Sequence, residues 1–258
     1  MNILITGGNG YIAKSLYERL KYKHNITTAT QQNFNMADYE STCTWFLEKH
    51  FDAVIHTAIV GGSRLLEDDH LTADINLKMY ENLLLNKNHF DKLISFGSGA
   101  EIFQKNTPYG LSKIKIADSI RNTDNFYNLR IFGVFDENEL PTRFIKSNLT
   151  RYNNKEPMRI HANKIMDFIY MQDLISTVEY YMTNTDLTKD INCCYEEKYT
   201  LKTIAHMINS LNTHKVPIII EKKTQLEFYC GDSGLPPINI VGLYQGIQNT
   251  YKSLINNI

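Results

Sequence analysis

The chain has 258 residues, with 27 basic and 28 acidic side chains and a formal charge of −1, so it carries no electrostatic footprint for nucleic acid or an anionic membrane surface. Hydrophobic residues make up 43 % and charged residues 21 %, the balance of a globular protein with a sizeable core. No apolar run approaches the roughly 20 residues of a membrane helix, and the opening lacks the basic n-region of a signal peptide. Four cysteines without metal-like spacing fit a reducing, cytoplasmic compartment, and the eight histidines form no metal pattern.

In chain order, the apolar periodicity predicts a strand over Asn2–Thr6 and a helix over Tyr11–Lys21. A strand over Ile26–Thr30 and a helix over Tyr39–Lys49, beginning near Asp38, follow. Then come a strand over Ala53–His56, a helix over Thr72–Asn86, a strand over Lys92–Phe96 and a helix over Thr107–Arg121 entered through Pro108. Tyr127–Phe132 reads as a strand. This alternation implies an α/β fold, a doubly wound parallel sheet of Rossmann type. The rhythm changes after Phe135. A helix over Thr142–Tyr152 is followed by short strands at Met158–His161 and Asp167–Tyr170, placed around a turn. Helices over Leu174–Met182 and Leu201–Leu211, a strand over Val216–Ile220 and a loop over Gly231–Pro237 complete the reading. The expected organisation is a dinucleotide-binding domain over 1–136, with contributions from about 158–182, and a small interwoven substrate lobe over 137–258.

The first strand runs into Thr6-Gly7-Gly8-Asn9-Gly10-Tyr11-Ile12-Ala13 at the start of a helix. Gly7 permits a tight turn, Gly10 lets the backbone approach a pyrophosphate, and Ala13 lets the helix pack on the sheet. Phosphates are expected at the helix N-terminus, so Gly7, Asn9, Gly10, Tyr11 and Ile12 are candidate cofactor contacts. The second strand ends Thr27-Thr28-Ala29-Thr30-Gln31-Gln32, with neither the carboxylate that selects NAD nor an arginine for the NADP phosphate. Thr30 and Gln31 suit either ribose. The missing negative charge leans the reading towards NADP, with NAD open.

Tyr109 and Lys113 stand four residues apart on one helix, hence on one face. A phenol with a pKa near 10 is a poor acid–base catalyst at neutral pH, and a neighbouring ammonium favours its phenolate. Lys113 can also hold a nicotinamide ribose. Ser98 follows the strand Lys92–Phe96, at the C-terminal end where α/β sheets bind ligands, and its hydroxyl is the candidate to orient a carbonyl.

The Gly-x-x-Gly-x-x-Ala spacing and the Tyr-x-x-x-Lys pair resemble the extended short-chain dehydrogenase/reductase family, also called the NAD-dependent epimerase/dehydratase family. Further stretches resemble its GDP-fucose synthase-type nucleotide-sugar 4-ketoreductases: His56-Thr57-Ala58-Ile59-Val60-Gly61-Gly62, Leu129–Phe135 and Asp167-Phe168-Ile169-Tyr170-Met171-Gln172-Asp173. The resemblance places Ala58, Ile131 and Val134 beside the cofactor and Asn35 near the adenine, and gives Asn76 a structural role near the active site. It implies catalysis by Ser98, Tyr109 and Lys113, a nucleotide-diphosphate sugar as substrate, and a homodimer built on the helices around Thr72–Asn86 and Thr107–Arg121.

Departures narrow the function. Where the resembled enzymes use a Cys and a His to epimerise carbons beside the ketone, this chain has Ala100 or Glu101 and Arg143. Gly99 can occupy a position that is Ser in some relatives. The usual diphosphate-clamping Arg is replaced by Met166, leaving Lys164, Arg159 or Arg143 as substitutes. Gly99, Arg143 and Lys164 are therefore the expected substrate contacts. The expected function is NAD(P)H-dependent reduction of a 4-keto, 6-deoxy nucleotide-linked hexose. The alternatives are a nucleotide-sugar 4-epimerase with tightly bound NAD, a non-catalytic dinucleotide-binding protein, and a dehydratase using Glu101 as acid.

Overall fold

A computed structural model describes residues 1–62 and 68–256. Two compact units divide the chain: Met1–Arg130 with Val178–Ile191, and Ile131–Thr177 with Asn192–Ile258. The return to the first unit begins at Val178, so most of 158–182 lies in the second.

The first unit is built on a sheet in which β1 (Asn2–Thr6) lies between β2 (Asn25–Ala29) and β3 (Ala53–His56). The sheet continues through β4 (Leu93–Ser98), β5 (Phe126–Ile131) and β9 (Asp190–Asn192). The β1–β2, β1–β3 and β3–β4 pairs are parallel. Ile3, Leu4 and Ile5 are all fully buried, as are Ala53, Val54 and Ile55, because a parallel strand is covered on both faces. The chain runs from β1 to β2 on one side and then crosses back over β1 to β3 on the other. This switch of direction opens a crevice at the C-terminal strand ends.

Several helix starts are marked in the sequence by a capping side chain. Asp38 accepts the Ser41 N–H and caps α2 (Tyr39–Phe46), and Asp69 accepts the Thr72 N–H and caps α3 (His70–Leu85). Thr107 accepts the Gly110 N–H at the start of α5 (Pro108–Arg121), which opens on proline as expected. By contrast α1 (Tyr11–Leu20) has no side-chain cap at Gly10. The core gathers Leu4, Phe46, Val54, Tyr80, Leu83, Leu93, Ile116 and Ile120. Tyr80 hydroxyl donates to Ser119 Oγ at 2.9 Å, tying α3 to α5.

The second unit contains β6 (Val134–Phe135) paired in parallel with β8 (Ile169–Tyr170), and β7 (Met158–Met166) paired in parallel with β10 (Ile218–Tyr229). It also holds α6 (Phe144–Asn153), α8 (Leu201–Asn209) and α9 (Leu243–Asn256), while α7 (Met171–Thr183) carries the chain between units. Here the sequence expectations need correcting. Met158–His161 does not end in a turn; the strand runs on to Met166, because β10 extends to Tyr229 and supplies a long partner. The register shift between Lys222 and Glu227 absorbs the extra β10 residues. Helix α9 lies beyond the last element foreseen. Among the described residues, no helix is long and apolar enough to cross a membrane.

Candidate active site

Gly7 turns the chain at the end of β1 with φ +67°, and a Cβ there would lie 2.8 Å from both Cα and N of Ala58. Both facts require glycine. Gly10 N–H donates to Gly7 carbonyl at 2.8 Å, closing the turn so that the chain enters α1 directly. An uncapped helix start behind a glycine turn is suited to a diphosphate, which accepts from the backbone N–H groups of the first turn. The bend therefore fits a dinucleotide. Asn9 and Gly10 are exposed, and Tyr11 and Ile12 are half-buried.

The ends of β1 and β3 are locked together. Thr6 Oγ1 accepts the N–H groups of Thr57 (3.1 Å) and Ala58 (3.2 Å), and Thr57 hydroxyl donates to Thr6 carbonyl at 2.6 Å. With both lone pairs used, the Thr6 hydroxyl proton goes to His56 Nδ1 at 3.0 Å, which leaves the imidazole proton on Nε2. Burial, with the charge of Lys113 adding to it, pushes His56 down to about 3, so the ring is neutral.

The loop after β3 continues to the tyrosine. Asn76, buried in α3, accepts the Val60 N–H and donates to the Val60 carbonyl, both at 2.9 Å. That paired bond fixes the approach to Gly62, which has φ +68°. A Cβ on Gly62 would lie 2.8 Å from Cε2 and Cζ of Tyr109 and 3.2 Å from its hydroxyl. Lys113 Nζ sits 5.9 Å from the Tyr109 ring centroid and donates to Phe96 carbonyl at 2.6 Å. Burial lowers Lys113 to about 8, while Glu101 works in the opposite direction. Ser98 is the last residue of β4 rather than a residue past it; its Oγ accepts the Ala100 N–H at 3.2 Å. Gly99 is the buried N-cap of the short helix α4 (Ala100–Phe103).

Beyond β2, Asn33 Oδ1 accepts the Thr30 N–H at 2.7 Å and its Nδ2 donates to Thr28 carbonyl at 3.1 Å. Asn35 is exposed and accepts the Ala37 N–H at 3.2 Å. The first unit thus brings Gly7, Ala58, Gly62, Tyr109 and Lys113 into one continuous series of contacts.

Residues 3–194 match the model of the NAD dependent epimerase/dehydratase family. The chain belongs to that family. It is 20 % identical over 250 residues to CDP-abequose synthase from Yersinia pseudotuberculosis, an alignment covering 84 % of this chain and 87 % of that one. The fold is similar to that of a GDP-mannoheptose C4 reductase from Campylobacter jejuni solved with NADP bound: TM-score 0.81, 19 % identity, 98 % of each chain covered. It is also similar to UDP-glucose 4-epimerase from Thermotoga maritima solved with UDP-glucose: TM-score 0.76, 16 % identity, covering 100 % of this chain and 99 % of that one.

The remaining family-like residues lie in the second unit. Ile131 closes β5 and Val134 opens β6. Arg143 is the backbone N-cap of α6, and Lys164 Nζ lies 5.6 Å from the Tyr229 ring centroid. The two aspartates of the 167–173 segment act as clamps. Asp167 pairs with Lys198 at 2.9 Å and accepts the Gly231 N–H at 2.8 Å. Asp173 accepts the N–H groups of Val241 (2.7 Å) and Gly242 (3.0 Å) and the Tyr195 hydroxyl.

Glu101, the candidate acid of a dehydratase, has both oxygens engaged inside the first unit. Its Oε2 pairs with Arg130 at 2.6 Å and its Oε1 accepts the Ser98 N–H at 2.8 Å. Sequence reasoning placed Gly62 only within a family-like stretch, and missed both its contact with Tyr109 and this Glu101–Arg130 pair. The signal was Arg130 itself: a charged residue in a strand of otherwise buried residues demands a carboxylate partner.

Proposed function

We propose that the chain reduces a 4-keto nucleotide-linked hexose with NADPH or NADH. The observation that carries this reading is the series from Gly7 through Ala58 and Gly62 to Tyr109, which joins a diphosphate-fitting turn to a phenol paired with a buried lysine. The reduced nicotinamide supplies the hydride when bound. Gly7, Asn9, Gly10, Tyr11 and Ile12 hold the diphosphate, and Thr30 and Asn35 meet the adenosine end. Ala58, Ile131 and Val134 line the nicotinamide side. The absence of a carboxylate at the end of β2 favours NADP over NAD.

In the chemical step Tyr109 donates its hydroxyl proton to the carbonyl oxygen, and Ser98 hydrogen-bonds that oxygen. Lys113 grips the nicotinamide ribose and its ammonium favours the phenolate that Tyr109 becomes. On the substrate side, Gly99 allows close approach of the sugar, and Arg143 and Lys164 pair with the diphosphate. Reductases and epimerases both occur among the similar folds. The neutral His56 and the engaged Glu101 supply no second proton relay of the kind that epimerising carbons beside the ketone needs, which counts against that added step; a 4-epimerase needs no such relay and is told from a reductase by whether NAD stays bound.

We further propose that the protein is a homodimer joined through α3 and α5, where Leu71, Leu85 and Leu111 are exposed. Light scattering tests this, and a monomer contradicts it.

The functional test follows cofactor absorbance when purified protein meets NADPH or NADH and a panel of 4-keto nucleotide sugars. Oxidation with at least one member supports the reading. No oxidation across the panel, beside a working control reductase, counts against it. Protein that purifies with NAD already bound points instead to the epimerase.

A further inference from the structure

Glu101 sits one turn after Ser98 and is only 6 % exposed. Its oxygens are fully engaged inside the first unit. Oε1 accepts the Ser98 N–H at 2.8 Å, and Oε2 accepts from Arg130 Nε at 2.8 Å. Arg130 is braced in turn by Asp190 on β9 at 2.8 Å, and Asp190 also takes Arg121 at 2.8 Å. Asn128 bridges the two acids, donating to Asp190 Oδ1 at 3.1 Å and to Glu101 Oε2 at 3.3 Å. The carboxylate lies over Gly97, where a Cβ would strike Glu101 Oε1 and come within 2.6 Å of Asn128 Oδ1. A residue with a side chain at 97 would push this arrangement apart. A buried acid held by three elements of the sheet is a rigid arm whose free end is the Ser98 peptide.

We propose that Glu101 is a positioning residue: its carboxylate fixes the Ser98 peptide at the exit of β4 and sets a negative charge beside the buried ammonium of Lys113. The role of these two partners in catalysis rests on the reductase reading given above. Among the described residues, the groups that act on Lys113 are the Phe96 carbonyl from β4 and Tyr109 from its own helix, with the neutral His56 from β3 and the charge of Glu101 from α4. Those facing Glu101 are Arg130 and Asn128 from β5, Asp190 from β9 through Arg130, and Lys113 from α5. Burial drives Lys113 towards the neutral amine, and among these neighbours Glu101 is the one that opposes it. An ammonium is what supports a phenolate at Tyr109.

Two substitutions in the full chain separate arm from charge. E101Q keeps the shape and removes the charge; E101D keeps the charge and withdraws the arm by one methylene. Lysine-labelled protein, with the Lys113 resonance assigned by its loss in K113R, gives the lysine titration by NMR without any substrate. Wild-type Lys113 is expected to titrate near pH 8, E101Q roughly half a pH unit or more lower, and E101D close to wild type. Amide hydrogen exchange at Ser98 is expected to be about tenfold faster or more in E101D than in wild type. With a substrate that turns over, E101Q should lower kcat about tenfold with KM changed less than about threefold, and move the alkaline limb of kcat to lower pH. E101D should restore that limb. Lys113 titrating in E101Q as in wild type, or Ser98 exchanging in E101D at the wild-type rate, overturns the proposal; E101D carries the decision if E101Q does not fold. Absence of turnover by wild type refutes the reductase reading instead, since titration and exchange are read without substrate.

Discussion

Gly62 lies directly against Tyr109, so close that a single added carbon would sit 2.8 Å from two atoms of the phenol ring. The tyrosine is thus aimed by a backbone, one that Asn76 holds through both polar groups of Val60. Gly62→Ala must displace the phenol or the loop, and the φ of +68° adds strain. A displacement near 1 Å at a reacting group costs on the order of 100-fold in rate. Steady-state kinetics should show kcat falling at least about tenfold, with cofactor affinity nearly unchanged.

Gly7→Ala acts at the other end of the same loop. The new Cβ meets Ala58 backbone at 2.8 Å in a left-handed conformation. Fluorescence titration with NADPH should show affinity weakened by about tenfold or more, equivalent to about 1.4 kcal/mol. Unweakened binding would separate this turn from the cofactor.

Glu139 provides a pH-dependent stability term. It is buried, its Oε2 has no hydrogen-bond partner among the described residues, and burial raises its pKa to about 8 against the attraction of Arg143 and Lys146. The folded chain therefore holds this proton up to about pH 8, whereas the unfolded chain releases it near 4.5. Between those values the folded state binds more protons, so this group's contribution to stability falls as pH rises. Glu139→Gln imitates the protonated acid at every pH. Its Tm should match wild type below pH 4.5 and exceed it by several degrees above pH 8. A constant offset across the range contradicts this account.

Asp173→Ala removes the acceptor for Val241 N–H, Gly242 N–H and the Tyr195 hydroxyl at a fully buried position. Stranding buried donors costs about 1–3 kcal/mol each. Thermal denaturation should show Tm lowered by roughly 6 °C or more.

The Rossmann-type sheet was legible because its signals are local. Buried apolar strands end in glycine turns, and Asp38, Thr107 and Pro108 mark helix starts by their own chemistry. The pair Tyr109 and Lys113 was legible because helical spacing puts residues four apart on one face. The contacts of Gly62 and Glu101 were not, because their partners are distant in sequence: Gly62 meets a ring 47 positions on, and Glu101 meets Arg130 only through the order of β4 and β5. The β7–β10 pair was misjudged for the same reason. The Met158–Met166 strand owes its length to a partner some sixty residues away, and exposed β10 residues show no apolar alternation.

In the proposed reaction Tyr109 delivers the proton that completes hydride transfer to a sugar ketone. Transfer of deuterium from NADPH labelled at nicotinamide C4 to a 4-keto nucleotide sugar tests it most directly, read by mass spectrometry for wild type and Tyr109→Phe. Wild type should give a product labelled at the former carbonyl carbon, and Tyr109→Phe should bind NADPH as tightly yet label at least about a hundredfold more slowly. Labelling by Tyr109→Phe at the wild-type rate would contradict the account.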